Sequence, residues 1–220
     1  MQTLRNIGVL MDRNSITKEF YEDRLAASEG IGWRASSWSS EVNQKNVFSA
    51  LVRHIAIDAG DTILDVGCGV GDFWDYIKND RTDAGQLDVD VLYHGIDLTE
   101  SVIDVAQNKY PDGSFEAVDF LEYRKQHDWV LAGGTFNLSV PNQDGFIFGC
   151  LSHMFSLSKK GACVTLLSNS LQKNSMNHFV DLHYYDPARI FRYCSINLTP
   201  HVIVDQRCLD CQFLCCMFRD

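Results

Sequence analysis

The sequence predicts an α/β fold: a doubly wound, mostly parallel seven-stranded sheet with an antiparallel last strand, preceded by an N-terminal helical cap. Three observations carry that prediction. From Thr62 onward, short apolar runs of β type alternate with amphipathic helical patterns, as right-handed βαβ crossovers require. A glycine-rich turn, Gly67-Cys68-Gly69-Val70-Gly71, joins the first run to the first of those helices. The last two β-type runs have no helix between them, so they should pair antiparallel.

The elements follow in chain order. Before Thr62, one or two helices are expected. Glu41 to Ile57 is the clearest, with Val42, Val47, Phe48, Leu51, Val52 and Ile55 on one apolar face. Thr62 to Val66 reads as a buried strand, and Asp72 to Asn79 as a helix with Phe73, Trp74 and Ile77 on one face. Val91 to Ile96 is the second strand. Thr99 caps a helix running to Lys109. Phe115 to Val118 and Trp129 to Ala132 are short strands. Asp144 to Ser158 is strongly helical and ends at Lys159-Lys160-Gly161, a good C-terminal signature. Ala162 to Leu167 is a buried strand. Asp186-Pro187 starts the last helix by N-cap and first-turn proline. Val202 to Val204 and Phe213 to Phe218 close the chain as strands. The implied division is a helical cap over 1–58 packed on a core over 59–220, within one domain of 220 residues.

Composition narrows the function. Apolar residues make up 45% and charged residues 22%, which excludes disorder, coiled coil and collagen-like fibre. The net charge is 19 − 29 = −10, so phosphate backbones and anionic lipid repel the chain as a whole. General nucleic-acid binding and membrane-surface binding are therefore not expected. The longest apolar run near the N-terminus, Ile7 to Met11, is too short for an export signal, and no run is long enough to span a membrane. The expected location is the cytoplasm, with its eight cysteines as free thiols. Cys208, Cys211, Cys215 and Cys216 cluster, but strand alternation sends neighbouring thiols to opposite faces. They read as core residues, and no metal site is expected.

The sharpest feature is Asp65-Val66-Gly67-Cys68-Gly69-Val70-Gly71-Asp72. A P-loop needs Lys-Ser/Thr after its glycines, and Asp72-Phe73 stands there instead. A dinucleotide fingerprint needs glycine at position 72. An aspartate at the helix start also competes with a pyrophosphate for the same N–H groups. The ligand should therefore lack phosphate at this point. Asp97 ends the next strand, where an acid can accept hydrogen bonds from ribose hydroxyls. Asp119 ends the one after, placed to accept from an exocyclic amine, with Leu98 and Phe120 flanking an aromatic base. Three acids at consecutive strand ends suit a nucleoside with a cationic part.

This combination resembles the class I S-adenosylmethionine-dependent methyltransferases, over roughly residues 40 to 220. The resemblance implies S-adenosyl-L-methionine as cofactor, with S-adenosyl-L-homocysteine as product. It makes Asp65, Gly67, Cys68 and Gly69 the wrap around the methionine half. It makes Asp97 the ribose acid and Asp119 the adenine acid, with Leu98 and Phe120 beside the base. Asp128-Trp129-Val130-Leu131-Ala132-Gly133-Gly134-Thr135-Phe136-Asn137 looks like the fourth motif, which brings Gly133, Gly134 and Asn137 near the sulfonium. Ala132-Gly133-Gly134-Thr135 lacks the Asp/Asn-Pro-Pro-Tyr/Phe run of base-amine methyltransferases, which argues against that chemistry.

The remaining candidates lie outside the motifs. Trp33 and Arg34 are placed to fold over the cofactor, Arg34 near its carboxylate. The segment Asn169 to Tyr185 follows a strand at the ligand edge and is long for its position. It supplies His178 and His183 as candidate bases. Tyr21 joins them as a catalytic candidate, with Tyr185 as a further positioning group. His54 and His153 read as satisfied surface histidines. The expected function is methyl transfer to a small-molecule acceptor, by a monomer or homodimer. The alternatives are a cofactor-binding regulatory module of the same fold and a nicotinamide-dependent oxidoreductase.

Overall fold

The computed structural model describes residues 12–79, 90–170, 181–207 and 210–220. Among the described residues, two helices and a single helical turn precede the sheet. Helix α1 (Arg13–Ala27) is capped by Asp12, whose carboxylate accepts the Ser15 N–H at 2.9 Å. No α1 side chain is fully buried, so it lies over the rest of the molecule as a surface element. The turn α2 (Gly32–Ala35) follows. Helix α3 (Glu41–Arg53) is capped by Ser40 and buries Val47, Phe48, Leu51 and Val52. It stops short of the expected Ile57, although Ile55 and Ile57 still pack on the same core.

The sheet is built from β1 (Thr62–Val66), β2 (Leu92–Asp97), β3 (Phe115–Ala117), β4 (His127–Gly133), β5 (Ser158–Leu167), β6 (Val202–Asp205) and β7 (Gln212–Phe218). Their spatial order is β3-β2-β1-β4-β5-β7-β6. The first five strands pair parallel, and β7 pairs antiparallel with both β5 and β6. This is the doubly wound seven-stranded sheet that the sequence predicts. Helices α4 (Asp72–Asn79), α5 (Glu100–Lys109), α6 (Gln143–Leu157) and α7 (Pro187–Asn197) form its crossovers.

Period-2 alternation divides the core between the two faces. Leu64, Val66, Val130, Ala132, Val164 and Cys215 meet α6 and α7. Ile63, Tyr93, Trp129, Leu131, Cys163 and Cys216 meet α3, α4 and α5. Neighbouring Cys215 and Cys216 thus enter different cores, both fully buried, and all seven described cysteines are free thiols. Each core side chain of Leu or Ile size contributes about 1.5–3 kcal/mol by burial. Among the described residues, no helix is long and apolar enough to cross a membrane.

Two local expectations are corrected. Lys159, Lys160 and Gly161 do not end α6 but run inside β5. Gly161 pairs with both Trp129 and Phe218, and a Cβ there would lie 2.7 Å from the Met217 carbonyl. Ladder pairing therefore outweighs the helix-end chemistry of the Lys-Lys-Gly triplet. Thr99 stands at the N-cap of α5, yet its side chain makes no cap bond; its N–H instead donates to Asp97 at 2.9 Å. Asp186 does cap α7, accepting from Ala188 N–H at 2.9 Å. Asp128 is structural: it accepts from the N–H and hydroxyl of Thr62 at 2.9 and 2.6 Å, at the far end of β1 from the glycine turn. His54 faces Asp205 at 3.2 Å, and His153 reaches the carbonyls of Phe120 and Tyr123 at 3.1 and 3.0 Å.

Candidate active site

The turn after β1 adopts backbone that only glycine takes without strain. Gly67, Gly69 and Gly71 have φ of +71°, +56° and +84°. A Cβ on Gly67 would lie 2.3 Å from Thr135 Cγ2, and one on Gly69 would lie 2.7 Å from Ser36 Oγ. The Gly67 and Cys68 N–H groups donate to the Ile96 carbonyl at 2.8 and 3.0 Å, stitching the turn to the end of β2. The Thr135 hydroxyl donates to the Val66 carbonyl at 2.7 Å, tying the segment after β4 to the same place.

The acids sit around this turn. Asp65 is buried and accepts from Tyr93 Oη at 2.7 Å. Burial pushes its carboxyl up to about 7, opposed by the Tyr93 hydrogen bond and reinforced by the charge of Asp97. Asp97 spans the turn. Its Oδ2 accepts the Gly69 N–H at 3.2 Å, and its Oδ1 accepts the Thr99 N–H at 2.9 Å. Burial raises its carboxyl as well, while those N–H groups pull it down. Asp119 caps the 3₁₀ turn Phe120–Glu122 by accepting the Leu121 N–H at 2.9 Å. Its other oxygen takes Arg13 Nη2 at 2.5 Å and Asn14 Nδ2 at 2.9 Å, so the start of α1 rests on the third acid. Asp72, at the start of α4, accepts from Lys109 Nζ at 2.6 Å and Gln44 Nε2 at 3.0 Å. Its charge is thereby matched inside the protein.

The glycine turn, Asp65, Asp97 and Asp119 border a cavity of about 680 Å³, within the range of sites that hold a small molecule or cofactor. Asp65, Gly67, Cys68, Gly69, Asp97, Leu98, Asp119, Phe120, Gly133, Gly134 and Asn137, the residues that the resemblance assigns to the cofactor, all line it. Tyr21 lines it too. Burial raises the Tyr21 phenol, and the charge of Asp97 adds to the effect. Trp33 and Arg34 do not line it: Arg34 faces Glu29 at 3.4 Å and lies over the Trp33 ring. The wall is supplied instead a turn later, by Ser36 to Ser39.

His183 is likewise absent from the lining. Its ring meets the Tyr185 edge 4.6 Å away, and burial lowers its imidazole below the usual value. Tyr185 is buried, donates to the Phe136 carbonyl at 2.5 Å and accepts from Gln143 Nε2, so its hydroxyl is committed to the scaffold. His178 lies outside the described residues, as do Cys208 and residues 171–180 of the long segment before α7.

No family model matches the sequence. A candidate methyltransferase of Invertebrate iridescent virus 6, 235L, is 24% identical over 162 residues, or 72% of this chain. The match covers 57% of that relative's length. Among solved structures, magnesium protoporphyrin IX methyltransferase from Synechocystis PCC 6803 with bound SAM superposes over 97% of this chain and 100% of its own, at 17% identity and a TM-score of 0.62. Phosphoethanolamine N-methyltransferase 2 of Haemonchus contortus, in complex with S-adenosyl-L-methionine, covers 91% of this chain and 47% of its own, at 12% identity and a TM-score of 0.64. The 1,6-didemethyltoxoflavin-N1-methyltransferase of Burkholderia thailandensis covers 96% and 91%, at 15% identity and a TM-score of 0.58.

This chain has the class I methyltransferase fold. Within that fold, several cavity residues were not legible in the motifs. Arg13 reaches Asp119 from a helix more than 100 positions earlier in the chain. The Trp38 ring covers Gly134, where an added Cβ would come within 2.8 Å of it. Gln212 enters the cavity from the first position of β7. The run Ser36-Ser37-Trp38-Ser39 is the one local signal that could have found any of them: small polar residues around an aromatic, between two helices.

Proposed function

We propose that the protein is an S-adenosylmethionine-dependent methyltransferase acting on a small-molecule acceptor. The observation that carries this reading is the convergence of Asp65, Asp97 and Asp119 on one cavity around a glycine turn of positive φ. The donor set fits the cofactor. Asp97 offers carboxylate oxygens for the ribose hydroxyls, and Asp119 would accept from an amine on the base in place of the Arg13 guanidinium. The bare backbone at Gly67 and Gly69 leaves room where a Cβ would collide. Among the described residues the lining holds Asp97 and Asp210 beyond the Arg13–Asp119 pair and no further Lys or Arg, which favours a ligand with a cationic centre.

Bound there, S-adenosylmethionine supplies an electrophilic methyl group on its sulfonium. The protein's part is to position and to exclude water. Phe20, Tyr21, Phe136 and Phe146 wall the cavity with aromatic surface. Tyr21 keeps its proton at physiological pH, since burial and Asp97 both oppose ionisation. It therefore orients an acceptor by hydrogen bonding and does not serve as a base.

Incubating the protein with methyl-labelled S-adenosylmethionine and a fractionated small-metabolite extract tests this reading. Label in a new small molecule is the expected result. Cofactor binding without any labelled product would instead support a regulatory module.

A further inference from the structure

The cavity continues past the strands that carry the acids, and one residue of its lining, Gln212, holds a buried oxygen without a partner. Gln212 opens β7, opposite Leu167 at the end of β5, and both residues line the cavity. Gln212 is 9% exposed, and among the described residues its Oε1 is buried with no hydrogen-bond partner. The neighbouring Leu167 N–H is already taken by Asn137 Oδ1 at 2.9 Å. An amide carbonyl buried without a donor is costly, so native proteins rarely leave one unless a ligand or water completes it.

The position matters. Strands lie about 4.8 Å apart, and β7 stands four places from β2, so Gln212 is roughly 19 Å across the sheet from Asp97. A nucleoside held by Asp97 and Asp119 does not reach it. The group that meets Gln212 belongs to the second ligand. The lining also includes Leu138, Val140, Leu182 and Tyr184, with Asp210 and Cys211 next to Gln212 in the chain.

We infer that Gln212 recognises the methyl acceptor, through a hydrogen bond from an acceptor N–H or O–H to its Oε1. The inference rests on the methyltransferase reading for the identity of the second ligand, but the orphaned carbonyl stands without it. The acceptor class is then a largely apolar ring or chain carrying a hydrogen-bond donor, neutral or cationic. Asp210 in the same lining disfavours a carboxylate or phosphate there. The terminal χ3 torsion of glutamine is broad, so a modest rotation brings Oε1 to the donor.

Phenol, fluorobenzene and benzoate are suitable probes, titrated by ligand-observed NMR with and without saturating S-adenosylhomocysteine. Phenol and fluorobenzene differ chiefly in the O–H. One neutral hydrogen bond corresponds to about a 2–10-fold difference in Kd. The wild type is expected to prefer phenol over fluorobenzene by about fivefold and to bind benzoate weakest. Gln212→Met should bring phenol and fluorobenzene within about twofold, whereas Gln212→Glu, which keeps an acceptor oxygen, should retain the preference. Gln212→Leu serves if Gln212→Met does not fold.

No phenol preference in the wild type, no binding of either neutral probe, or a preference that survives both apolar variants overturns the inference. Calorimetry with S-adenosylhomocysteine on the same samples separates the two readings. Cofactor bound without a phenol preference defeats only the role of Gln212. A Gln212-dependent preference without cofactor binding defeats only the methyltransferase reading.

Discussion

Replacing Asp97 by Asn changes one atom and separates two roles. In the protein as it stands, Oδ2 holds the Gly69 N–H at 3.2 Å and Oδ1 the Thr99 N–H at 2.9 Å. An amide offers one oxygen, so one of those N–H groups would face an NH2. Leaving a buried donor unpaired costs about 1–3 kcal/mol. Part of that is offset, because burial already disfavours the ionised carboxyl and a neutral amide escapes that penalty. A net loss of about 1 kcal/mol lowers Tm by about 2–4 °C for a chain of this size. Binding should suffer more. A hydrogen bond to a charged acceptor is worth about 1.5–3 kcal/mol, so losing it from the ribose weakens Kd by roughly 10–150-fold. Calorimetric titration with S-adenosylhomocysteine, beside thermal melts, reads both. A large drop in Tm with Kd changed less than threefold would refute the reasoning and reduce Asp97 to a staple for the glycine turn.

Other perturbations follow from the same geometry. Gly67→Ala adds left-handed strain and drives a Cβ to 2.3 Å from Thr135, whose bond to Val66 must yield. The cost is about 2–4 kcal/mol, or a Tm drop of about 5–15 °C, and a drop below 2 °C contradicts it. Asp65 has a carboxyl raised from 3.8 to about 7 in the folded protein, so its contribution to stability is complete below about pH 4 and is lost as pH rises through 7. Asp65→Asn should therefore gain Tm relative to wild type on going from pH 4 to pH 7, and a flat difference refutes this. His127 shows the opposite sign: burial lowers its imidazole to about 4, so its contribution is present above pH 6.5 and disappears as pH falls through 4. His127→Gln should gain on wild type as melts move from pH 7 to pH 4, and a constant gap contradicts it. Arg13 occupies the Asp119 oxygen that an adenine amine would take, through a half-buried pair worth about 1 kcal/mol. Arg13→Ala should tighten adenosine binding about fivefold at low salt, and weaker binding would overturn the competition.

The parts of the site that lie at the ends of regular elements were legible in the sequence, and the parts made by distant contacts were not. Asp97 and Asp119 could be placed because apolar runs mark where strands end, and parallel strands bring those ends to one edge. The glycine turn could be placed because three alternating glycines need backbone that other residues avoid. Arg13, Trp38 and Gln212 gave no such signal. Each enters the cavity through packing between elements far apart in the chain, which local periodicity does not encode. Trp33 and Arg34 miss the cavity because, of α2, only Ala35 lines it, and the loop from Ser36 to Ser39 supplies the rest of that wall. Lys159-Lys160-Gly161 lies in β5 for a related reason. Its composition suits a helix end, but Lys160 reaches Asp58 at 2.6 Å and Asp61 at 2.8 Å from within the ladder.

In the proposed function the acids and the glycine turn form one cofactor site. The most direct measurement is calorimetric titration of the wild-type protein with S-adenosylmethionine, alongside a nicotinamide dinucleotide control. Saturable one-to-one binding with Kd in the range of about 1 μM to 1 mM is expected, and none for the dinucleotide. Absence of saturable binding by S-adenosylmethionine, or tighter binding of the dinucleotide, would contradict it.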